Sequence, residues 1–150
     1  MTKTRIGDAF MPADEYGRSL PQFSVNLLVR HMENSVDFYR DVIGAQVRYS
    51  DHDFAALQLN GWGFMLHADH TYDHHPLFAR LEKTGLRGGG TELRFLGVDP
   101  DAIEARARRA GATVLQAARD YPHGWREVMI VDPDGYIWAL GVALPANAKQ

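Results

Sequence analysis

The chain has 150 residues with 45% apolar and 23% charged side chains, and its formal net charge is -3 at pH 7. This balance predicts one globular domain and argues against a basic surface for nucleic acid or for membranes. The absence of cysteine excludes disulfides, thiolate metal ligands and a cysteine nucleophile. No apolar run approaches the ~20 residues that span a bilayer, and the first residues lack the apolar core of a secretory signal, so we expect a cytoplasmic protein.

The first half of the chain predicts an arm followed by one strand-helix-strand module. Residues 1–22 show no regular apolar period and are predicted to form an extended N-terminal arm that packs on the body of the protein or is partly disordered. The module spans residues 23–67 and opens with a strand, which is followed by an amphipathic helix that ends at Gly44. Three strands complete it, at Ala45–Tyr49, Phe54–Leu59 and Trp62–His67, with an Asn60-Gly61 turn between the last two.

The second half repeats this pattern. Residues 68–90 form a linker with three histidines and the glycine-rich run GLRGGG. Residues 91–142 again predict a strand, a helix that ends at a glycine, and further strands. The similar motifs IGAQV and AGATV stand at the ends of the two helices. Residues 143–150 form a short C-terminal tail. The repeat predicts an α+β fold in which two βαβββ modules make one domain, residues 23–150.

Two short sequence motifs in the repeat resemble those of a known protein family. FYRDVIG follows the first strand, and DPDGYIWALG closes the second module. At these places in a two-module repeat they resemble the vicinal oxygen chelate superfamily, which includes glyoxalase I, extradiol dioxygenases and bleomycin-resistance proteins. The resemblance implies a curved, eight-stranded mixed sheet around a cup-shaped cavity, and it implies a homodimer.

The metal enzymes of that superfamily place one ligand on each of four strands, typically His or Gln, Glu, His and Glu. By resemblance, the corresponding positions here are Ser24, Met65, Glu92 and Ala139. A serine, a methionine and an alanine do not assemble a site for a divalent cation. The resemblance is therefore strongest to the metal-free, bleomycin-resistance-like branch, and we expect no cofactor. A divalent metal held by other ligands remains the alternative.

The histidines around residue 70 carry that alternative. His67, His70, His74 and His75 lie close together in sequence, and imidazole is a common neutral metal ligand. No pair at helical spacing on a clear helix supports chelation, so a solvated polar loop is the simpler interpretation. His67 follows Met65 by two residues and shares its side of the strand, which makes His67 a candidate general base or ligand contact.

Polar and aromatic side chains give the predicted ligand contacts. Glu92 and Arg94 alternate on one strand with Leu93 and Phe95, so the two charged side chains share a face. They either recognise a polar ligand or form an ion pair with each other; Glu92 is also a weak catalytic candidate. Trp138 is predicted to pack in the core. The predicted ligand-binding residues are Asn26, Trp62, Met65, His67, Glu92, Arg94 and Trp125.

These residues predict a small-molecule-binding protein of the bleomycin-resistance type that sequesters a toxic or antibiotic-like compound without metal. The first alternative is an enzyme of the same superfamily, either a metal-dependent lyase or dioxygenase or a metal-free isomerase. The second is a partner-binding protein that kept the fold and lost the cavity. Bound metal would distinguish the metal enzyme from the small-molecule binder. A solvent-filled cavity would distinguish both of these from the partner-binding protein.

Overall fold

The protein has an α+β fold built from two βαβββ modules, as the repeat predicts. The computed structural model describes residues 2–146. By their internal contacts these fall into two compact units: unit 1 comprises residues 2–36 and Ala45–Leu81, and unit 2 comprises Asp37–Gly44 and residues 82–146. None of the helices in the described range has the length and apolar character that a membrane crossing requires.

Unit 1 contains one four-stranded mixed sheet. Its strands have the order β1-β4-β3-β2, with β1 parallel to β4 and the other neighbours antiparallel. Helix α2 begins in this unit, and two short 3-10 turns, Asp69–Tyr72 and Pro76–Arg80, follow the sheet. The elements are α1 (Ala13–Ser19), β1 (Asn26–Val29), α2 (Met32–Asp37), β2 (Gln46–Ser50), β3 (Phe54–Leu59) and β4 (Trp62–Ala68).

Unit 2 contains a second four-stranded sheet with the same topology. Its order is β5-β8-β7-β6, and β5 runs parallel to β8 while the other neighbours are antiparallel. The matching order confirms the internal repeat that the sequence predicts. The elements are a π-helical segment (Phe38–Ile43), β5 (Glu92–Leu96), α3 (Pro100–Arg109), β6 (Thr113–Asp120), β7 (Trp125–Val131) and β8 (Ile137–Ala143).

The N-terminal arm differs from the extended segment that the sequence predicts. Helix α1 occupies its middle, and Arg18 pairs with Asp14 one turn earlier at 2.6 Å. No α1 side chain is fully buried, and the helix lacks the long apolar stripe by which helices are recognised in sequence. The predicted C-terminal tail begins at the last residue of β8, and its residues 147–150 lie outside the described range.

The helix that begins with α2 ends in a π-helical turn at Gly44, as the closing glycine predicts. Gly44 has φ +89°, the left-handed conformation that ends helices without the strain a side chain would add. In unit 2 the Arg106 Nε–H donates to the carbonyl oxygen of Val42 at 2.8 Å. The guanidinium thereby satisfies one of the carbonyl groups that every helix end leaves without an intrahelical partner.

The glycine-rich run of the linker is packed against the DPDG turn within unit 2. The Arg87 N–H donates to the Asp134 carbonyl at 2.9 Å, and the Gly88 N–H donates to the Gly135 carbonyl at 3.0 Å. The side chains of Arg87 and Asp134 are both buried and lie 3.6 Å apart. Proline, glycine and aspartate in DPDG are typical turn residues, and the structure also buries both aspartates of the turn beside the linker.

Asp132, the first residue of the turn, accepts several buried hydrogen bonds. Its Oδ1 accepts from the N–H groups of Asp134 and Tyr136 at 3.0 and 2.7 Å. Its Oδ2 accepts from the Tyr39 hydroxyl at 2.6 Å, and the Trp138 indole N–H donates to that hydroxyl at 3.3 Å. Burial outweighs these hydrogen bonds and raises the pKa of Asp132 to about 6. Burial, and then the nearby Asp132 charge, also raises the pKa of Tyr39.

The Asp132→Asn variant should remove a pH dependence of stability. A carboxyl whose pKa is higher in the folded than in the unfolded state stabilises the fold less as the pH rises through that interval. With a folded pKa of about 6, Asp132 should lower the free energy of unfolding by about 2 kcal/mol between pH 4.5 and pH 7.5. Urea unfolding across this range should show the decline in the parent protein and a flatter profile in Asp132→Asn. Parallel profiles would contradict the assignment.

Candidate functional site

Unit 1 contains a cavity between the N-terminal arm and its sheet. The cavity has a volume of about 480 Å³, within the range of small-molecule sites. Helix α1 and the residues before it form one wall, and strands β2 to β4 form the other. The side chains that matter for recognition are Phe10 and Tyr16 from the arm and Tyr49, Phe54, Met65 and His67 from the sheet.

Aromatic contacts join the two walls. Phe10 stacks on Tyr49 with ring centroids 5.1 Å apart, and Tyr16 meets Phe54 edge-on at 5.2 Å. His67 lies 4.9 Å from Phe54 on the sheet side. Such ring pairs contribute about 0.5–1.5 kcal/mol each beyond the area they bury, so the arm rings both hold the wall in place and offer flat faces to a ligand.

Asp53 fixes the start of the arm. Its carboxylate is buried and accepts from the Thr4 N–H at 2.8 Å, the Thr4 hydroxyl at 2.7 Å and the Arg5 N–H at 3.2 Å. The His70 Nε2 lies 2.8 Å from the same carboxylate. Burial alone would raise the pKa of Asp53, but the hydrogen bonds from His70, Thr4 and Arg5 outweigh it and hold the pKa well below its usual range. The carboxylate is therefore ionised and bound on one side by the arm.

His67 is held in one tautomer. The Asn26 side-chain nitrogen donates to the Tyr72 hydroxyl at 2.8 Å, which directs the amide oxygen of Asn26 toward His67. That oxygen lies 2.7 Å from Nδ1 of His67, so Nδ1 carries the proton and donates. Burial lowers the pKa of His67, which keeps the ring neutral at pH 7. The lone pair of a neutral imidazole then lies on Nε2, which has no hydrogen-bond partner within residues 2–146.

The other histidines of the predicted loop have separate structural positions. His70 is bound to Asp53, and His75 accepts through Nδ1 from the Leu77 N–H at 3.1 Å at the start of a 3-10 turn. The His74 side chain is largely exposed, 3.7 Å from Asp73. Over residues 2–146 there is no group of three or more histidine, aspartate or glutamate side chains arranged to hold a metal ion. The alternative of a histidine metal site gains no geometric support.

The side chains at the superfamily's ligand positions also do not fit a chelate. Met65 is buried and contributes a thioether to the apolar wall of the cavity, and Ala139 is completely buried without a donor atom. A divalent cation with open positions for substrate needs several oxygen or imidazole ligands, and these two positions supply none. The residues present do not match that metal chemistry.

In unit 2 a polar cluster forms around Arg94, as the shared face of Glu92 and Arg94 predicts. Arg94 pairs with Glu92 at 2.5 Å and with Glu127 at 2.6 Å, and its guanidinium lies 4.8 Å from the centre of the Trp125 ring. Glu127 is only 2% exposed, and His123 lies 3.6 Å from its second oxygen. Sequence reasoning missed Glu127 and His123; a lone glutamate among the apolar residues of β7 was the available signal.

Glu127 should contribute more to stability than Glu92, although both bind Arg94. Glu127→Gln removes a buried charge-assisted hydrogen bond, and we expect a loss of about 1–2 kcal/mol in the free energy of unfolding. Glu92 is partly exposed, and its replacement by Gln should cost ~0–1 kcal/mol. Urea unfolding of the two variants at one pH makes the comparison. Equal losses would mean that burial of Glu127 does not strengthen its pairing.

The remaining predicted contacts are placed as follows. Asn26 supports His67, and Trp138 is buried, as predicted. Trp62 is 65% exposed and lines a second, shallower groove of about 580 Å³ in unit 1, which shares Phe10 and Tyr16 with the cavity. Each unit thus holds part of the predicted residue set: Asn26, Trp62, Met65 and His67 in unit 1, and Glu92, Arg94 and Trp125 in unit 2.

The comparisons with known proteins give a family model that matches most of the chain and relatives of similar sequence. The family model described as Glyoxalase/Bleomycin resistance protein/Dioxygenase superfamily matches residues 22–140. Uncharacterized proteins of Mycobacterium bovis and Mycobacterium tuberculosis are each 32% identical over 130 residues, covering 81% of this chain and 82% or 74% of the relative.

Solved structures show the same fold at lower identity. A glyoxalase/bleomycin resistance protein/dioxygenase family enzyme from Burkholderia phytofirmans superposes with a TM-score of 0.66 at 24% identity, covering 81% of this chain and 97% of its own. A glyoxalase-related enzyme from Fulvimarina pelagi gives a TM-score of 0.64 at 23% identity, covering 82% and 88%.

Proposed function

The chain belongs to the glyoxalase/bleomycin resistance protein/dioxygenase superfamily, and within it we propose a metal-independent small-molecule-binding protein that sequesters its ligand in the cavity of unit 1. The observation that carries this proposal is the cavity of about 480 Å³ between the arm and the sheet. Its walls combine aromatic rings with a few polar groups, which is the usual composition of a small-molecule site.

Metal independence is supported by the side chains at the superfamily's ligand positions. Met65 and Ala139 occupy two of these positions and offer no oxygen or nitrogen. Recognition by ring stacking and hydrogen bonds needs no cation. The predicted set Glu92, Arg94 and Trp125 in unit 2 and the exposed Trp62 remain proposed ligand contacts, for which a binding measurement is the test.

The proposal is tested by calorimetric titration with 2-naphthol, a planar aromatic probe, in the presence of EDTA. We expect saturable binding that neither EDTA nor added Mn²⁺ changes. The double variant Phe10→Ala/Tyr16→Ala removes the arm rings and should weaken binding at least about tenfold, the effect of losing roughly 1.4 kcal/mol of stacking. Phe23→Ala, which removes an exposed ring of the same unit outside the cavity, is the control. No saturable binding, or equal loss in both variants, would contradict the proposal.

A second candidate function is a metal-free isomerase. The observation that favours it is the neutral His67 ring, whose Nε2 lone pair has the form that accepts a proton from a substrate carbon. An isomerase of this kind would exchange a ligand C–H proton with solvent, whereas a binder would leave it in place. Loss of an NMR signal from the ligand in D₂O, dependent on His67, would favour the enzyme.

We also propose that the chain forms a homodimer, as the superfamily resemblance implies. Each four-stranded sheet ends on two edge strands, β1 and β2 in unit 1 and β5 and β6 in unit 2, and edge strands are surfaces that proteins commonly cover. Light scattering at micromolar concentration should return twice the mass of the chain. The cytoplasmic location stays a prediction of the sequence.

A further inference from the structure

We propose that the ligand of the unit 1 cavity is a planar aromatic compound carrying a neutral O–H or N–H donor, and that Nε2 of His67 accepts this hydrogen bond. The inference rests on the proposed function, because it names the ligand class for the same cavity. It assigns His67 as the residue that determines specificity and the aromatic rings as the surface that provides affinity.

The first step concerns the orientation of the His67 ring. Asn26 is itself fixed by Tyr72, so its amide oxygen faces Nδ1 of His67 at 2.7 Å. A donor at Nδ1 leaves Nε2 as the only acceptor of the neutral ring. Because His67 lines the cavity and Nε2 has no partner in the described part of the chain, a bound molecule can supply the missing donor.

The second step compares His67 with the carboxylates that line the same cavity. Asp51 accepts from the N–H groups of Asp53 and Phe54 at 2.7 and 2.8 Å and from the Tyr49 hydroxyl at 2.7 Å. Asp53 accepts from the arm and lies 2.8 Å from His70. Both carboxylates already accept hydrogen bonds from the protein, whereas Nε2 of His67 accepts none within residues 2–146. The neutral imidazole favours a neutral donor.

The third step concerns shape. Phe10 and Tyr16 on the arm and Tyr49 and Phe54 on the sheet contribute flat faces to the cavity. The Phe54 ring centre lies 4.9 Å from that of His67, so a ligand that reaches Nε2 also meets an aromatic surface. Planar rings gain more from such surfaces than flexible chains do, because they lose little conformational freedom on binding.

The test compares two probes that differ by one hydrogen-bond donor. At neutral pH 2-naphthol keeps its hydroxyl protonated, whereas 2-methoxynaphthalene has the same rings without the donor. We expect 2-naphthol to bind about tenfold or more tightly, the effect of a hydrogen bond worth about 1.4 kcal/mol. His67→Leu should bring the two affinities together. His31→Leu, a matched change at an exposed histidine of the same unit, should leave the difference in place. Nitrogen-15 NMR of the His67 ring should show Nε2 shifting upfield with 2-naphthol alone.

The outcomes distinguish this inference from the proposed function. Equal binding of both probes by the parent protein, or a preference that survives in His67→Leu, would overturn the inference and leave the binding cavity intact. Failure of both probes to bind at millimolar concentration would overturn the proposed function and the inference with it. A folded His67→Leu protein, checked by its circular dichroism spectrum, makes the loss of preference interpretable.

Discussion

Replacing Gly88 by Ala is expected to lower the free energy of unfolding by about 3 kcal/mol, because no space exists for a methyl group there. A Cβ at Gly88 would lie 2.3 Å from the carbonyl oxygen of Gly135 and 2.6 Å from the Cα of Tyr136. Both are backbone atoms, the first in the DPDG turn and the second in the residue that follows it, and the turn is itself held by the buried Asp132 and Asp134. The clash can be relieved only by separating the linker from the turn, which also costs the Gly88 hydrogen bond to Gly135.

The neighbouring Gly89 is a matched control. A Cβ at Gly89 meets no atom within 4 Å, and its φ lies outside the left-handed range. Gly89→Ala should therefore leave stability unchanged or raise it by about 0.5 kcal/mol, since alanine restricts the unfolded chain. Thermal and urea unfolding of the two variants give the difference. Equal stability of the two variants would contradict the close packing of the GLRGGG run against the turn.

Replacing Asp53 by Asn is expected to detach the start of the arm and to cost about 2–3 kcal/mol. The amide keeps one acceptor oxygen and turns its NH2 group toward the donors on the other side, so a buried N–H or O–H of the arm loses its acceptor. Because the folded pKa of Asp53 is lowered, its stabilisation is present at all pH values above about 4 and disappears only as the pH falls further. Titration of the Asp53 carboxyl should thus add no pH dependence to this cost between pH 5 and pH 8.

Limited proteolysis measures the detachment directly. Trypsin cleavage after Lys3 and Arg5 should be faster in Asp53→Asn than in the parent protein, because a segment must open locally to be cleaved. Asp8→Asn, an exposed arm position, is the control. Unchanged cleavage together with unchanged stability would show that Asp53 does not hold the arm.

The architecture could be predicted from the sequence because its signals are local and occur twice along the chain. The period-two strands, the helix-closing Gly44 and Gly111 and the duplicated order are short-range signals. The structure contains the three strands predicted at Ala45–Tyr49, Phe54–Leu59 and Trp62–His67 within one residue of those bounds. Tertiary pairing over long separations has no such signal. Thr4 meets Asp53 across 49 residues and Tyr39 meets Asp132 across 93, so neither the residue that holds the arm nor the burial of the turn aspartates could be foreseen.

For the candidate site, too, the local features could be predicted from the sequence and the long-range contacts could not. Alternation correctly placed Glu92 with Arg94 on one strand face and Met65 with His67 on another. The amide of Asn26 also fixes the His67 ring, a contact that strand alternation does not predict. The arm rings Phe10 and Tyr16 were missed, because α1 has no buried residue and so no apolar periodicity that would indicate a wall of a cavity.

The central claim is that a planar aromatic ligand binds without metal in the cavity of unit 1. The most direct measurement is the set of intermolecular nuclear Overhauser effects between 2-naphthol and the protein in the presence of EDTA. We predict contacts from the naphthol ring protons to the methyl group of Met65 and to the rings of Phe54 and Tyr16. Contacts confined to residues of unit 2, such as Trp125, or contacts that appear only when a divalent cation is added, would contradict the claim.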